Sequence, residues 1–152
     1  MIRNLTFFLL TIIIVTFLVI THTTITNLIW LSSMDMPVNI FTVLSSISHD
    51  IVSMNIRAAI PIGMLGLVSV ALIIAFVVAR IILIWVKVEK RNAYALAGAA
   101  ALAALVLLMP LAFYNLDLIA GARSILGKVY LISSGALGGY FFGFNLDRGK
   151  NV

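Results

Sequence analysis

Four long stretches of almost uninterrupted apolar residues constrain this chain more than any other feature. They cover about residues 5–25, 61–86, 94–114 and 124–144. Each holds roughly 20 residues, enough for a helix rising 1.5 Å per residue to cross a hydrocarbon core about 30 Å thick. Because no water reaches that depth, backbone groups must bond within their own segment. The sequence therefore predicts an all-α fold, a four-helix transmembrane bundle that forms a single membrane domain over residues 1–152.

The composition agrees with a membrane environment. With 63% hydrophobic residues, 10% charged residues and a mean hydropathy of +1.21, the chain has too little polar surface to cover a globule in water. The sequence contains no cysteine, which excludes disulfides, thiolate catalysis, iron–sulfur clusters and Cys-based zinc sites. No small-residue cleavage site follows the first apolar stretch, so we interpret that stretch as a retained anchor and not a signal peptide.

The placement of basic residues predicts an orientation. With the N-terminus in the cytoplasm, the outer loops hold only Arg57, Arg123 and Lys128. The other seven of the ten Lys and Arg then lie inside, namely Arg3, Arg80, Lys87, Lys90, Arg91, Arg148 and Lys150. This is the positive-inside pattern, and it explains the net charge of +5 without a nucleic acid partner. We expect cytoplasmic N- and C-termini, the lipid bilayer as a partner and a bacterial inner membrane as the location.

A fifth, shorter helix is expected over residues 39–57. Its apolar residues are spaced by three and four, as on one face of a helix: Ile40, Val43, Leu44, Ile47, Ile51 and Met54. Asn39 is placed to cap its N-terminus. The polar residues fall on the opposite stripe: Ser46, His49, Asp50, Ser53 and Arg57. We predict an amphipathic helix on the non-cytoplasmic side, lying on the membrane surface or packed over the mouth of the bundle with its polar face in water.

The polar stripe of this helix also offers a candidate ligand-binding or proton-relay site. His49, Asp50 and Arg57 could meet Asp117 and Arg123 from the other outer loop, and such a group could relay protons or hold an anion. The simpler interpretation is that these residues are only the wet face of a surface helix.

Haem ligation by the two histidines is the remaining cofactor hypothesis. His22 and His49 both fall at or beyond the outer edge of the membrane, whereas axial haem ligands in a bundle face each other in its interior. We therefore predict no cofactor and no metal site.

Small residues mark two faces for close helix packing. Gly135, Gly139 and Gly143 recur every four residues, and Ala97 and Ala101 do the same on the preceding segment. Such smooth faces let helix backbones approach closely in a membrane. The glycine line fits packing within the monomer as well as contact with a partner helix, from another subunit or from a second copy in a homo-oligomer.

These features favour a non-enzymatic integral membrane subunit or accessory protein of a larger complex, associating through small-residue helix faces. Two alternatives stay open: a small oligomeric transporter or channel, and a quinone- or haem-binding membrane anchor of an oxidoreductase that uses His49, Asp50 and Arg57. Paired catalytic carboxylates and a His-x-x-x-His pattern are both absent from the sequence, so no catalytic residue is predicted.

Overall fold

The computed structural model describes residues 2–56, 63–112 and 119–148. These ranges contain five α-helices: α1 (Ile2–Ser32), α2 (Ile40–Ile56), α3 (Gly63–Trp85), α4 (Lys90–Ala112) and α5 (Ile125–Arg148). A single 3-10 turn, Ala120–Ala122, precedes α5. Four helices, α1, α3, α4 and α5, are long and apolar enough to cross a membrane, and α2 is a shorter apolar helix. The predicted all-α fold with four spanning helices and one extra helix is confirmed.

The helix α1 is longer than the predicted segment 5–25, since it continues to Ser32. Its second half is rich in threonine, a residue that favours strands over helices in water. Here the hydroxyls of Thr23, Thr24 and Thr26 each donate to the carbonyl oxygen four residues earlier, at 2.8, 3.0 and 2.8 Å. These bonds satisfy the side chains without breaking the helix, so α1 runs on past the predicted boundary.

Side chains cap the N-termini of α2, α3 and α5. Asn39 caps α2 as predicted, because its Oδ1 accepts the backbone N–H of Thr42 at 2.8 Å. Ser124 caps α5 in the same way, accepting the N–H of Gly127 at 3.0 Å. The start of α3 is capped from another helix, since Oδ1 of Asn55 accepts the N–H of Leu65 at 2.9 Å. That last bond ties the end of α2 to the first turn of α3.

The four long helices pack as antiparallel neighbours. Phe7 lies opposite Phe141 and His22 opposite Tyr130, so α5 runs antiparallel to α1. We call the end of the bundle that carries Arg3 and Asp147 the terminus side, and the end that carries the α1–α2 connection, residues 33–39, the hairpin side.

Four aromatic rings, one from each long helix, pack together in the half of the bundle nearer the terminus side. This aromatic cluster consists of Phe8 (α1), Phe76 (α3), Tyr94 (α4) and Phe142 (α5). Ring centroids of Phe76 lie 5.9 Å from Phe8, 5.2 Å from Tyr94 and 5.0 Å from Phe142. Edge-to-face and stacked pairs at these distances stabilise packing beyond simple burial. The cluster fixes the relative position of all four spanning helices at once.

Candidate functional site

The predicted glycine line of α5 lies against α4. A Cβ atom added at Gly135 would overlap the carbonyl oxygen of Gly98, and one added at Gly139 would overlap the carbonyl oxygen of Tyr94. At Gly143 an added Cβ would come within 2.6 Å of the Cα of Arg91. The two backbones therefore touch along three successive turns. In this structure the glycine line is occupied within the monomer.

The alanines of α4 lie partly on a different face, which borders an open groove between α3 and α4. The groove has a volume of about 850 Å³, and all of its lining side chains are apolar. Its α4 wall contains the predicted packing residues together with three further alanines: Ala93, Ala97, Ala100, Ala101 and Ala104. Its α3 wall contains Ala71, Ala75 and Ala79. Eight of the twenty lining residues are thus alanine, which leaves shallow, smooth walls.

The groove is long enough to reach across most of a hydrocarbon core. On α4 its lining runs from Ala93 to Met109, sixteen residues apart, or about 24 Å at helical rise. A hydrocarbon core is about 30 Å thick, and one leaflet supplies about half of that. The groove is therefore longer than the depth of one leaflet. Ala100 and Ala104 are exposed along its floor, so an occupant would contact them directly.

The clearest polar contact between helices lies towards the hairpin side. Thr24 is buried, and its hydroxyl lies 2.7 Å from Oδ2 of Asp50 on α2 and 3.0 Å from the carbonyl oxygen of Ile20. A hydroxyl has one proton, so the two acceptors share it. His49 stands next to this pair, with Nδ1 at 3.8 Å from Oδ1 of Asp50, and its side chain is 72% exposed.

The orientation of α2 follows the predicted one only in part, although Val43, Ile47, Ile51 and Met54 of the predicted apolar face are half-buried. Asp50 and two other residues of the predicted wet stripe, Ser46 and Ser53, are half-buried, whereas Phe41 and Val52 are exposed. Asp50 turns towards α1, because its Oδ2 accepts a hydrogen bond from the buried hydroxyl of Thr24 at 2.7 Å. The polar side of α2 therefore faces the protein in part, and an apolar stripe faces outward.

His22 lies in a different place from His49. Its ring stacks on Tyr130 with centroids 4.3 Å apart, and its Cδ2 lies 2.7 Å from where a Cβ of Gly121 would be. Its Nε2 is buried and has no hydrogen-bond partner among the described residues. A side chain at residue 121 would force this ring to shift, so the glycine permits the close approach of the 3-10 turn.

The structure brings only part of the predicted site together. His49 and Asp50 are adjacent, and Thr24 joins them. Arg123 is exposed and makes no ion pair within the described residues. Arg57 and Asp117 lie outside the described residues. No group of three or more His, Cys, Asp or Glu that could hold a metal occurs in the described ranges.

Among the described residues, the terminus side carries two ion pairs. Nζ of Lys90 lies 3.3 Å from Oδ1 of Asp147, which joins α4 to α5. Arg91 donates to both carboxylate oxygens of Glu89, at 2.8 and 2.7 Å. These hydrogen bonds lower the pKa of Glu89 below its ordinary value. Arg91 thus favours the charged form of Glu89 over the protonated form.

Sequence reasoning missed Thr24 and Gly98. Thr24 is one of several threonines in the same stretch, and nothing in the sequence distinguishes it from the others. Its contact with Asp50 follows only from the fold. Gly98 is the one glycine in an alanine-rich segment, and that isolation was a readable signal for close backbone approach. Comparison of the chain with protein families, characterised proteins and solved structures found no match.

Proposed function

We propose that this protein is a non-enzymatic integral membrane subunit of a larger membrane complex, and that its α3–α4 groove receives a transmembrane helix of a partner subunit. The observation that carries this proposal is the groove itself. It is open and apolar, it is about as long as most of a hydrocarbon core is thick, and it has alanines on both walls. In lipid, helices gain little from hydrophobic exclusion and associate through close van der Waals packing at small residues. A surface of this kind is suited to a helix.

Two features favour a helix over a lipid chain. The groove is about 24 Å long, and an acyl chain from one leaflet spans only about 15 Å of the core. The glycine face of α5 is already occupied by α4, which leaves the alanine face as the small-residue surface open to a partner. We further propose that both termini lie in the cytoplasm of a bacterial inner membrane, as the charge distribution favours.

The test enlarges two exposed alanines on the groove floor. Ala100→Leu and Ala104→Leu add volume where a partner helix would pack, yet neither residue is buried in the monomer. We expect each variant to dissociate the complex during gentle detergent extraction and to keep the melting temperature of the isolated subunit. Ser133→Leu on α5 is the matched control, because residue 133 is exposed and lies outside the groove.

Three outcomes would contradict the proposal. The Ala100→Leu and Ala104→Leu complexes could stay intact. Ser133→Leu could disrupt the complex equally, which would indicate a general effect of added bulk. The extracted protein could also be a homo-oligomer whose copies contact each other through the groove, which would replace the partner subunit by a second copy.

A further inference from the structure

The tip of the α1–α2 hairpin is apolar and exposed. We define this hairpin tip as residues 29–41, which end α1, form the connection and begin α2. Six apolar side chains in it are each more than half exposed: Ile29, Trp30, Met34, Met36, Ile40 and Phe41. Exposed apolar patches on a folded protein mark sites of interaction.

The hairpin tip extends beyond the hydrocarbon core. The 31 residues of α1 give a length of about 46 Å at helical rise, against a core of about 30 Å. The average tilt of membrane helices, about 20°, shortens this span only slightly. Arg3 is a charge at the terminus-side end of α1, so the hydrocarbon core is expected to begin after it and the excess length to lie at the hairpin side.

The position of α5 also indicates that the hairpin tip extends beyond the hydrocarbon core. Tyr130 of α5 stacks on His22, and α5 begins at Ile125, which lies about level with residue 27 of α1. The last turn of α1 and the whole connection therefore stand past the start of α5. A surface that stands past the core and its headgroup layer meets water, where exposed apolar side chains are costly unless they are covered.

The charge of the hairpin tip argues for a protein as its cover. Asp35 is the one Asp, Glu, Lys or Arg between Arg3 and Asp50, and it lies within the connection. It is exposed, and it makes no ion pair within the described residues. Segments that bind lipid surfaces combine an apolar face with several Lys and Arg, which attract anionic headgroups. The hairpin tip has no basic residue and carries a carboxylate, the opposite of that pattern.

We infer that the hairpin tip docks onto the extramembrane domain of a partner protein on the non-cytoplasmic side. The complementary surface is apolar, with pockets for Trp30 and Phe41 and with a Lys or Arg opposite Asp35. Large aromatic side chains flanked by a charge are typical anchors of protein interfaces. The inference rests on the proposed function in that the partner belongs to the same complex, but it uses a surface distinct from the groove.

The experiment compares hairpin-tip variants in the complex extracted from the source membrane. Phe41→Asp and Asp35→Lys should each weaken retention of the partner by roughly tenfold or more, as loss of a central anchor does. Asp35→Asn keeps the shape and should have a smaller effect than the charge reversal. Ser48→Lys, an exposed change on α2 outside the hairpin tip, is the control and should retain the partner. The melting temperature of each isolated variant checks that the subunit is folded.

A second measurement separates a protein from a lipid cover. The chain has two tryptophans, so Trp85→Phe leaves Trp30 as the single reporter. We expect brominated lipids to quench Trp30 weakly in vesicles that hold the isolated Trp85→Phe subunit, and Phe41→Asp to leave that quenching unchanged. Strong quenching of Trp30 by lipid, or full retention of the partner by Phe41→Asp and Asp35→Lys, would overturn the inference.

The two proposals fail separately. The groove variants could lose the complex while the hairpin-tip variants fully retain the partner. That result would support the proposed function and contradict this inference. Recovery of the subunit from the membrane without any partner would contradict both.

Discussion

The hydroxyl of Thr24 on α1 lies 2.7 Å from Oδ2 of Asp50 on α2, and this bond holds a short helix against the side of a spanning helix. No residue of α2 is fully buried, so α2 gains less from apolar packing than its neighbours do. Its position therefore depends on a few specific contacts. The second of these is the bond from Leu65 N–H to Asn55, which fixes the end of α2 on α3.

Asp50→Ala should loosen α2 without unfolding the bundle. Thr24 keeps its second acceptor, the carbonyl oxygen of Ile20, so no buried hydroxyl is left unpaired. We expect a loss of about 1 kcal/mol in the free energy of unfolding, the usual net value of one hydrogen bond. Asp50→Asn retains an acceptor oxygen and should lose less. Thermal unfolding in detergent measures both changes.

The same bond can be followed by labelling. Because the chain contains no cysteine, Ser46→Cys reports the half-buried side of α2 alone. Its reaction with a maleimide should be faster in the Asp50→Ala background than in the Asp50→Asn background. Equal rates in the two backgrounds would mean that the Thr24–Asp50 bond does not position α2.

Gly139→Ala should destabilise the α4–α5 pair. The added methyl group would overlap the carbonyl oxygen of Tyr94, which belongs to helix backbone and cannot rotate away. Overpacking of this kind costs about 1–3 kcal/mol. We expect a lower melting temperature than for Ser133→Ala, a change of similar size at an exposed position of the same helix. Equal melting temperatures of the Gly139→Ala and Ser133→Ala proteins would contradict close backbone packing between α4 and α5.

Phe76→Ala should be among the most damaging substitutions in the bundle. Phe76 contacts rings from the other three spanning helices, and its removal leaves a cavity among them. Large-to-small changes of a buried Phe cost about 3–5 kcal/mol. Phe17→Ala on the exposed face of α1 provides the comparison and should cost much less. Similar losses for the two variants, measured by denaturant or thermal unfolding, would contradict the central role of the cluster.

His22→Phe tests whether His22 has a ligand. The substitution keeps a ring to stack on Tyr130 and removes a buried nitrogen, Nε2, that has no partner among the described residues. Replacing an unpaired buried polar atom by an apolar one is neutral or stabilising. We therefore expect unchanged or raised thermal stability and an intact complex. A loss of assembly or of a bound chromophore in His22→Phe would instead support the oxidoreductase-anchor alternative.

Cysteine labelling in intact membranes tests the predicted orientation. Ser48 on α2 and Lys87 in the α3–α4 connection are both exposed. A membrane-impermeant maleimide added from outside should modify Ser48→Cys, and it should reach Lys87→Cys only after permeabilisation. The reverse pattern would place the termini outside, and labelling of both from one side would contradict the four-helix topology.

The helices could be predicted because lipid permits few backbone structures. Apolar stretches long enough to span, such as residues 61–86, must satisfy their own hydrogen bonds, so length and composition alone define them. The N-cap at Asn39 could also be predicted from the sequence, because it depends only on the four residues from Asn39 to Thr42. The predicted segment for α1 ends at about residue 25, with a continuation to Trp30 left open, and the back-bonded threonines carry the helix on to Ser32.

The contacts between helices could not be predicted in the same way. The spacing of Gly135 and Gly139 indicates a smooth face, but spacing holds no information on which helix covers it. The periodicity of α2 likewise placed Asp50 on a polar stripe and gave no sign of Thr24, 26 residues earlier in the chain. Both contacts follow from the tertiary arrangement of helices and become visible only when the fold is known.

Native mass spectrometry after gentle extraction from the source membrane tests the central claim most directly. The account predicts a complex of fixed stoichiometry in which this chain is bound to at least one other membrane subunit, and in which Ala100→Leu releases it. A monomer, or an oligomer of this chain alone, would contradict the claim that the protein is a subunit of a larger assembly.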